Sequence, residues 1–86
     1  MAVEPLREMG LRVTFVDGTS GEVRLRSFLE SPRVSGTAFE SLRDLVVFRQ
    51  MRVELGAVAW PNGADLAPDA MYGAIQMEGH WVVNDE

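Results

Sequence analysis

Residues 11–26 read LRVTFVDGTSGEVRLR, and two alternating segments in this stretch flank a run of turn residues. An apolar side chain at every second position is typical of a half-buried strand. The turn, residues 17–21, contains two glycines that can take positive φ. The predicted inward-facing side chains are Leu11, Val13, Phe15, Val23 and Leu25. The stretch therefore predicts a β-hairpin, preceded at residues 2–6 by a short edge strand that Pro5 ends.

The segment after this hairpin predicts helical structure. Residues 27–36 contain Ser-Pro and Ser-Gly pairs, which break helices, so we expect an irregular crossing there. Thr37 and Glu40 fit a capping box, in which each side chain bonds the backbone amide of the other residue. Apolar residues continue at helical spacing to about residue 49, and Asp44 is placed to cap a second turn. One helix and two short helices both fit this pattern.

A second pair of alternating segments follows the helical region. Residues 51–55 and 57–60 flank Gly56 and predict another hairpin, with Leu55 among its inward-facing residues. Pro61 ends this hairpin because proline lacks a backbone N–H and holds the preceding residue in an extended conformation.

The remaining elements complete the predicted fold. Asp65 is placed to cap a short helix that ends at Gly73, and residues 74–86 are predicted to form a final strand or a flexible tail. The pattern predicts an α+β fold: a small antiparallel sheet built from two β-hairpins, with one or two helices between them and a short helix after the second. We expect a single domain over residues 1–86, with a compact core over residues 1–73.

The composition excludes several classes of protein. At 86 residues and 9.5 kDa, the chain has the size of one small domain. It contains no cysteine, which excludes a disulfide scaffold and a thiolate metal site, and its one histidine, His80, excludes a multi-histidine site. No apolar run is long enough to span a membrane and no secretory signal is visible, so we expect a cytoplasmic protein.

The charge pattern bears on the kind of partner. The net charge is −5, which disfavours nonspecific binding of nucleic acid and favours a basic protein partner. All eight basic residues are arginine. Arg12, Arg24 and Arg26 share one face of the predicted hairpin and are candidates for binding an anion or nucleic acid. Alternatively this face is solvated, since Glu22 lies in the same row and exposed ion pairs contribute little.

The sequence WPNGADL, residues 60–66, is the most distinctive local cluster. Trp60 offers a large apolar surface with one N–H donor, and Asn62 and Asp65 offer side-chain oxygens. These three residues are candidates for binding a partner. Alternatively, Trp60 packs at the junction of sheet and helix, while Asn62 and Asp65 bond the amides of the turn and of the helix cap.

Two further sets of residues are candidates for binding. Asp65 and Asp69 are four residues apart and are candidates for a small ligand or a divalent cation, although acids are also common at a helix N-terminus for the sake of its dipole. Apolar residues near the C-terminus predict self-association, in which the segment pairs as an edge strand, unless it pairs within the chain. The candidates for self-association are Ile75, Met77, Trp81 and Val83.

No pattern typical of catalysis is present. No serine pairs with His80 as a nucleophile would, and Gly18 and Gly21 belong to a hairpin turn rather than to a phosphate-binding loop. We therefore expect no catalytic residues, no metal, no cofactor and no enzymatic activity.

The order of these pieces also carries a resemblance. The residues that carry it are Leu11, Val13, Phe15, Asp17 and Gly18, then Phe39, Leu42, Phe48 and Val53, and finally residues 60–66, Pro68 and Tyr72. In this order they resemble a small bacterial family, the domain of unknown function 2442, over roughly residues 3–72. The tryptophan loop is the most specific part of the resemblance.

The resemblance implies a compact α+β domain with no known enzymatic activity. Some relatives carry a C-terminal helix-turn-helix domain, which implies transcriptional regulation, and others are encoded beside small toxin-like proteins, which implies an antitoxin role. We therefore expect a non-enzymatic protein-interaction or regulatory module, an antitoxin-like partner of a small basic protein. The alternatives are a nucleic-acid-associated transcriptional regulator that uses the arginine face, and a small-ligand or metal sensor.

Overall fold

The alternating stretches form strands, and short helices lie around them. The computed structural model describes residues 1–83. Its strands are β1 (Ala2–Pro5), β2 (Gly10–Thr14), β3 (Ser20–Arg24), β4 (Arg52–Glu54), β5 (Ala57–Ala59) and β6 (His80–Val82). Its α-helices are α1 (Arg26–Glu30), α2 (Leu45–Phe48) and α3 (Pro68–Glu78), and 3₁₀ helices cover Pro32–Val34 and Ala38–Arg43. The predicted α+β class is confirmed.

The first hairpin forms as its alternation predicts. β2 and β3 pair antiparallel, with Leu11 opposite Val23. These two side chains and that of Val13 are fully buried, so one face of the hairpin contributes to the core. β1 pairs with β2 at the outer edge and ends at Pro5, as predicted.

The helix after the second hairpin is longer than predicted. α3 begins at Pro68, a residue favoured in the first helical turn, so Asp65 lies outside the helix and does not cap it. The helix then continues through Gly73, where an added Cβ would meet nothing within 4 Å. A glycine at such an exposed helical position costs only about 1 kcal/mol. Burial of Met71 and Ile75 on the other side of the helix outweighs that cost, at about 1.5–3 kcal/mol for each side chain.

Only the last part of the predicted C-terminal strand is a strand. Gly79 ends α3 with a left-handed φ of 79°, and β6 then pairs parallel with β3. The sheet order is therefore β1-β2-β3-β6, and the sheet is mixed rather than purely antiparallel. Parallel pairing follows because β6 reaches β3 through a long connection that contains α3, not through a hairpin turn. Residues 84–86 of the predicted segment lie outside the described residues.

The two hairpins do not join in one sheet, in contrast to the prediction. β4 and β5 pair with each other as a separate two-stranded ribbon. Val58 of β5 is fully buried, whereas every residue of β4 is exposed. Val58 therefore anchors the ribbon in the core through β5, while β4 lies beside β1 at the edge of the four-stranded sheet.

Over residues 37–49 the chain forms two short helices, which is the second of the alternatives that the sequence allowed. The Thr37 hydroxyl accepts a hydrogen bond from an amide in the first turn of the 3₁₀ helix at 3.3 Å. The Asp44 carboxylate accepts a hydrogen bond from the amide of Val46, in the first turn of α2, at 2.9 Å. The capping box is modified, because Glu40 accepts a bond from the amide of Gly36 rather than that of Thr37.

The predicted irregular crossing contains α1 and a 3₁₀ turn. The Ser31-Pro32 pair ends α1 rather than preventing it. The guanidinium of Arg43 donates hydrogen bonds to the carbonyl oxygens of Leu29 at 2.6 Å and of Ser31 at 2.9 Å. The first bond pairs the Leu29 carbonyl near the end of α1, where carbonyl groups lose their helical partners. The second adds to the bond that the Ser31 carbonyl accepts from the amide of Val34 at 3.2 Å.

The core lies between the four-stranded sheet, α3 and the helical segment. Its buried side chains are Leu11, Val13, Val23, Leu25, Leu29, Leu42, Phe48, Val58, Trp60, Ala64, Leu66, Met71 and Ile75. Over residues 1–83, no helix combines the length and the apolar character that crossing a membrane requires.

Candidate functional site

The tryptophan loop, residues 60–66, was the first candidate contact surface, and its indole lies in the core. Only 2% of Trp60 is exposed. Its Nε1–H donates a hydrogen bond to the carbonyl oxygen of Phe48 at 2.8 Å, and the two rings pack with centroids 5.9 Å apart. The side chain therefore holds β5 against α2. This burial matches the alternative that the sequence allowed, in which Trp60 packs at the junction of sheet and helix.

The other two candidates in this loop are exposed but differ in what they offer. The Asn62 side chain donates to the carbonyl oxygen of Ala38 at 2.7 Å and accepts from the amide of Ala64 at 3.1 Å. Both of its polar groups are thus used to hold the loop. Asp65 is exposed and forms a backbone bridge with Ala59. Within residues 1–83 no basic side chain forms an ion pair with it.

A groove of about 470 Å³ lies between this loop and one face of the β4–β5 ribbon. The strand register places Arg52 opposite Ala59 and Glu54 opposite Ala57, so these four side chains share one face. Apart from charged residues, the lining of the groove consists mainly of small or apolar residues. The lining residues are Arg52, Glu54, Leu55, Ala57, Ala59, Trp60, Pro61, Gly63, Ala64, Asp65 and Pro68.

Leu55 lies at the rim of this groove, although the sequence predicted that it would face inward. Leu55 and Gly56 have φ values of 52° and 79°, so both residues of the β4–β5 turn are left-handed, as in a type I′ turn. The Leu55 side chain is fully exposed, which contradicts its predicted inward orientation. The glycine between two alternating segments was the available signal, because a two-residue turn ending in glycine places its first residue outside the strand.

The three candidate arginines do not form an open basic stripe. Arg12 and Arg24 lie on the outer face of the sheet. Arg26 belongs to α1 and lines one cavity with Arg24, but Glu8 and Glu22 line it too. Each of the three lies within 4.0 Å of a glutamate. The distances are 3.8 Å for Arg12–Glu4, 3.2 Å for Arg24–Glu22, 3.4 Å for Arg26–Glu30 and 4.0 Å for Arg26–Glu8. The arrangement matches the solvated face with ion pairs that the sequence also allowed.

The four residues predicted for self-association do not share one surface. Ile75 is buried on the core side of α3, whereas Met77 on the same helix is 86% exposed. Trp81 and Val83 are half-buried. Ile75 and Met77 were expected on one face of a strand, and the helix separates them because its period is 3.6 residues rather than two.

The candidate acidic pair is exposed, with Asp65 before α3 and Asp69 in its first turn. Over residues 1–83 no three side chains of histidine, cysteine, aspartate or glutamate come together as metal ligands would. Asp69 therefore occupies the position that the helix dipole favours for an acid.

A polar cluster that the sequence did not reveal ties the first hairpin turn to α3. The Tyr72 hydroxyl donates to Asp17 at 2.5 Å and Gln76 donates to the Thr19 hydroxyl at 2.8 Å. The bond from Tyr72, and next the bonds from Thr19, hold the pKa of Asp17 below its ordinary value. The Tyr72 ring also packs edge-on against Phe15, with centroids 4.9 Å apart. These partners are more than 50 residues apart in the chain, beyond the reach of local pattern.

Together these contacts define a small α+β module in which the most distinctive sequence motifs build the scaffold. Trp60 and Asn62 fasten the tryptophan loop, and Asp17 with Tyr72 fastens the first hairpin turn. Residues 1–76 match the family described as "Protein of unknown function (DUF2442)", and the chain belongs to this family. Neither the curated proteins nor the solved structures give a significant match.

Proposed function

We propose that the chain is a non-enzymatic protein-interaction module that binds a small basic protein at the groove between the β4–β5 ribbon and the tryptophan loop. The family resemblance suggests an antitoxin-like or regulatory role for such a module. The observation that carries the proposal is Leu55, which is fully exposed at the rim of the groove in a left-handed conformation.

Leu55 is unfavourable in the isolated chain for two reasons. A left-handed backbone costs a residue with a Cβ roughly 1–2 kcal/mol, which glycine and asparagine largely avoid. Because the side chain is fully exposed, it also adds no hydrophobic burial to the stability of the fold. A partner that covered it would recover about 1.5–3 kcal/mol. A binding role therefore accounts for a residue that folding alone does not favour.

The charge of the groove supports a basic partner. Arg52 and Glu54 neutralise each other at 3.0 Å, which leaves the exposed Asp65 carboxylate as the net charge of the lining. The whole chain carries −5. Complementary charge of this kind speeds the encounter of two proteins and makes the association rate fall as salt is added.

The experiment uses the whole chain as bait in a lysate of the source organism. It compares wild type with Leu55→Asn and with Val16→Asn. Val16 is 91% exposed beside the other hairpin turn, so the second variant makes a matched change away from the groove. Any captured protein is identified by mass spectrometry, and its affinity for the three forms is then measured with purified components.

We expect Leu55→Asn to weaken the affinity roughly 10-fold to 100-fold and Val16→Asn to change it little. Equal affinity of wild type and Leu55→Asn, or an equal loss in both variants, would contradict the groove as the binding surface. Trp60→Ala is unsuitable as a binding variant. Truncating a buried tryptophan costs about 3–5 kcal/mol of stability, so that variant reports on folding.

A further inference from the structure

The strand β6 is the last strand of the four-stranded sheet, and its outer edge carries no neighbouring strand within residues 1–83. The amide of Val83 donates to the carbonyl oxygen of Arg24 on β3 at 2.9 Å. Alternate residues of a strand direct their backbone groups to opposite edges. The N–H and C=O groups of Val82, and those of His80, therefore point away from β3 and toward the open edge.

This edge lacks the features that usually prevent strands from pairing between molecules. Soluble proteins protect their edge strands with proline, with charged side chains or with bulges. The opposite edge of the sheet, β1, contains both Glu4 and Pro5. Residues 80–83, in contrast, read HWVV and contain neither a proline nor an acidic or basic residue other than His80. Val82 is also 44% exposed.

We infer that β6 pairs antiparallel with β6 of a second copy of this chain, across a two-fold axis at Trp81. In this register His80 lies opposite the partner's Val82, and Val82 opposite the partner's His80. These are the residues whose backbone groups point outward, so each pair exchanges two hydrogen bonds. The two sheets then form one continuous eight-stranded sheet.

The charge distribution favours a second copy over another occupant. Two chains of −5 repel each other on average, and β6 lets them meet at a strand without an acidic side chain. Residues 80–83 likewise offer no acidic side chain of their own to a basic protein. The proposed register brings Trp81 next to the partner's Trp81 on the inner face, and close aromatic pairs across strands are favourable. On the outer face it brings no two like charges directly opposite each other.

The interface is small because three residues on each side form it. Interfaces well below the standard size bind weakly, so we expect a dissociation constant above ~1 µM. Sedimentation equilibrium of the whole chain up to ~1 mM, a range chosen for such a constant, should show the average mass rising from 9.5 kDa toward twice that value.

Two variants at the edge and one matched control test where the copies meet. Val82→Pro removes an outward N–H without removing a bond to β3, and Val82→Lys adds a charge to the edge strand. Met77→Lys adds the same charge to α3, at a side chain that is 86% exposed. Hydrogen exchange at the Val83 amide reports whether β6 still pairs with β3 in each variant.

We expect both Val82 variants to keep the Val83 amide protected and to weaken dimerisation at least ~10-fold, while Met77→Lys changes it less than ~2-fold. In the wild type, exchange of the Val82 amide should slow as protein concentration rises. A monomeric wild type throughout, unchanged dimerisation in both Val82 variants, or loss of the dimer in Met77→Lys would each overturn the inference. The groove at Leu55 lies on the β4–β5 ribbon, which is separate from the sheet that contains β6. A result that contradicts one proposal therefore leaves the other unaffected.

Discussion

The two hairpins of this molecule differ most at their turns. The turn of the first hairpin is bonded to α3, through Tyr72 to Asp17 at 2.5 Å and through Gln76 to Thr19 at 2.8 Å. The turn of the second hairpin, Leu55-Gly56, places a fully exposed leucine in a left-handed conformation. The first turn is hydrogen-bonded to α3, whereas the second turn exposes its leucine to solvent.

Under the proposed function, this difference separates the residues that stabilise the fold from those that bind a partner. A domain of this size buries only about 60% of its unfolded surface, so it has few contacts to spare for holding a binding surface in place. Here the sheet, α3 and the buried Trp60 supply the stability. The second hairpin, anchored in the core by Val58 of β5, has at its turn a residue that is unfavourable for folding.

The largest expected effect concerns the contact between the first hairpin and α3. A Cβ at Gly21 on β3 would lie 2.7 Å from the carbonyl oxygen of Gly79 and 2.8 Å from a methyl carbon of Ile75. Gly21→Ala should therefore lower the free energy of unfolding by about 1–3 kcal/mol, because the helix has to shift. Urea denaturation measures the change.

Gly73→Ala is the matched control for this substitution. The same methyl group enters open space on α3, where replacing glycine by alanine in a helix stabilises by roughly 0.5–1 kcal/mol. The two variants should thus move the unfolding midpoint in opposite directions. If Gly21→Ala is as stable as wild type, the helix does not hold the first hairpin as closely as described.

Local pattern predicted the parts of the fold that depend on neighbouring residues. The alternation around residues 17–21 identified the first hairpin, and Thr37 and Asp44 were identified as helix caps. Gly73 predicts the end of this helix in the sequence, because glycine often ends helices. Nothing in the local sequence shows that its neighbours Met71 and Ile75 gain enough from burial to carry the helix past it.

The candidate site was harder to predict because it depends on which side chains are buried. The sequence allows Trp60 either to contact a partner or to pack at the junction of sheet and helix, and its burial and its hydrogen bond to Phe48 agree with the second alternative. Leu55 looks like a core residue, and the turn places it outside. The pairing of β6 with β3 depends on contacts across more than 50 residues, which periodicity does not encode.

A smaller effect of opposite sign is expected at the second turn. Leu55→Asn creates Asn-Gly, the pair most favoured in a type I′ turn. We expect it to raise the free energy of unfolding by about 1 kcal/mol, since asparagine tolerates the left-handed conformation. Val16→Asn, at an exposed site of the first hairpin, should change stability by less than ~0.5 kcal/mol. Destabilisation by Leu55→Asn would mean that the leucine contributes to folding and would remove the contrast between the turns.

The smallest expected effect concerns the bond that fastens the first turn. The Tyr72 hydroxyl is the main cause of the lowered pKa of Asp17, so the bond favours the ionised carboxylate of the folded chain. A carboxyl group whose pKa is lower in the folded state contributes stability above its unfolded pKa, about 3.9 for aspartate, and that stability is lost as pH falls through the folded value. Tyr72→Phe keeps the ring against Phe15 and removes the bond.

We therefore expect Tyr72→Phe to melt at a lower temperature than wild type at pH 7. This gap in melting temperature should narrow as the pH falls below about 4. Asp17→Asn is the control, because adding Tyr72→Phe to that variant should give a gap that does not depend on pH in this range. Thermal melts of the four proteins at pH 7, 5 and 3 make the comparison. A gap in the wild-type background that is as wide at pH 3 as at pH 7 would show that the charge of Asp17 plays no part in fastening the turn. The contrast between the two turns would then rest on the packing of Tyr72 against Phe15 and on the bond from Gln76 alone.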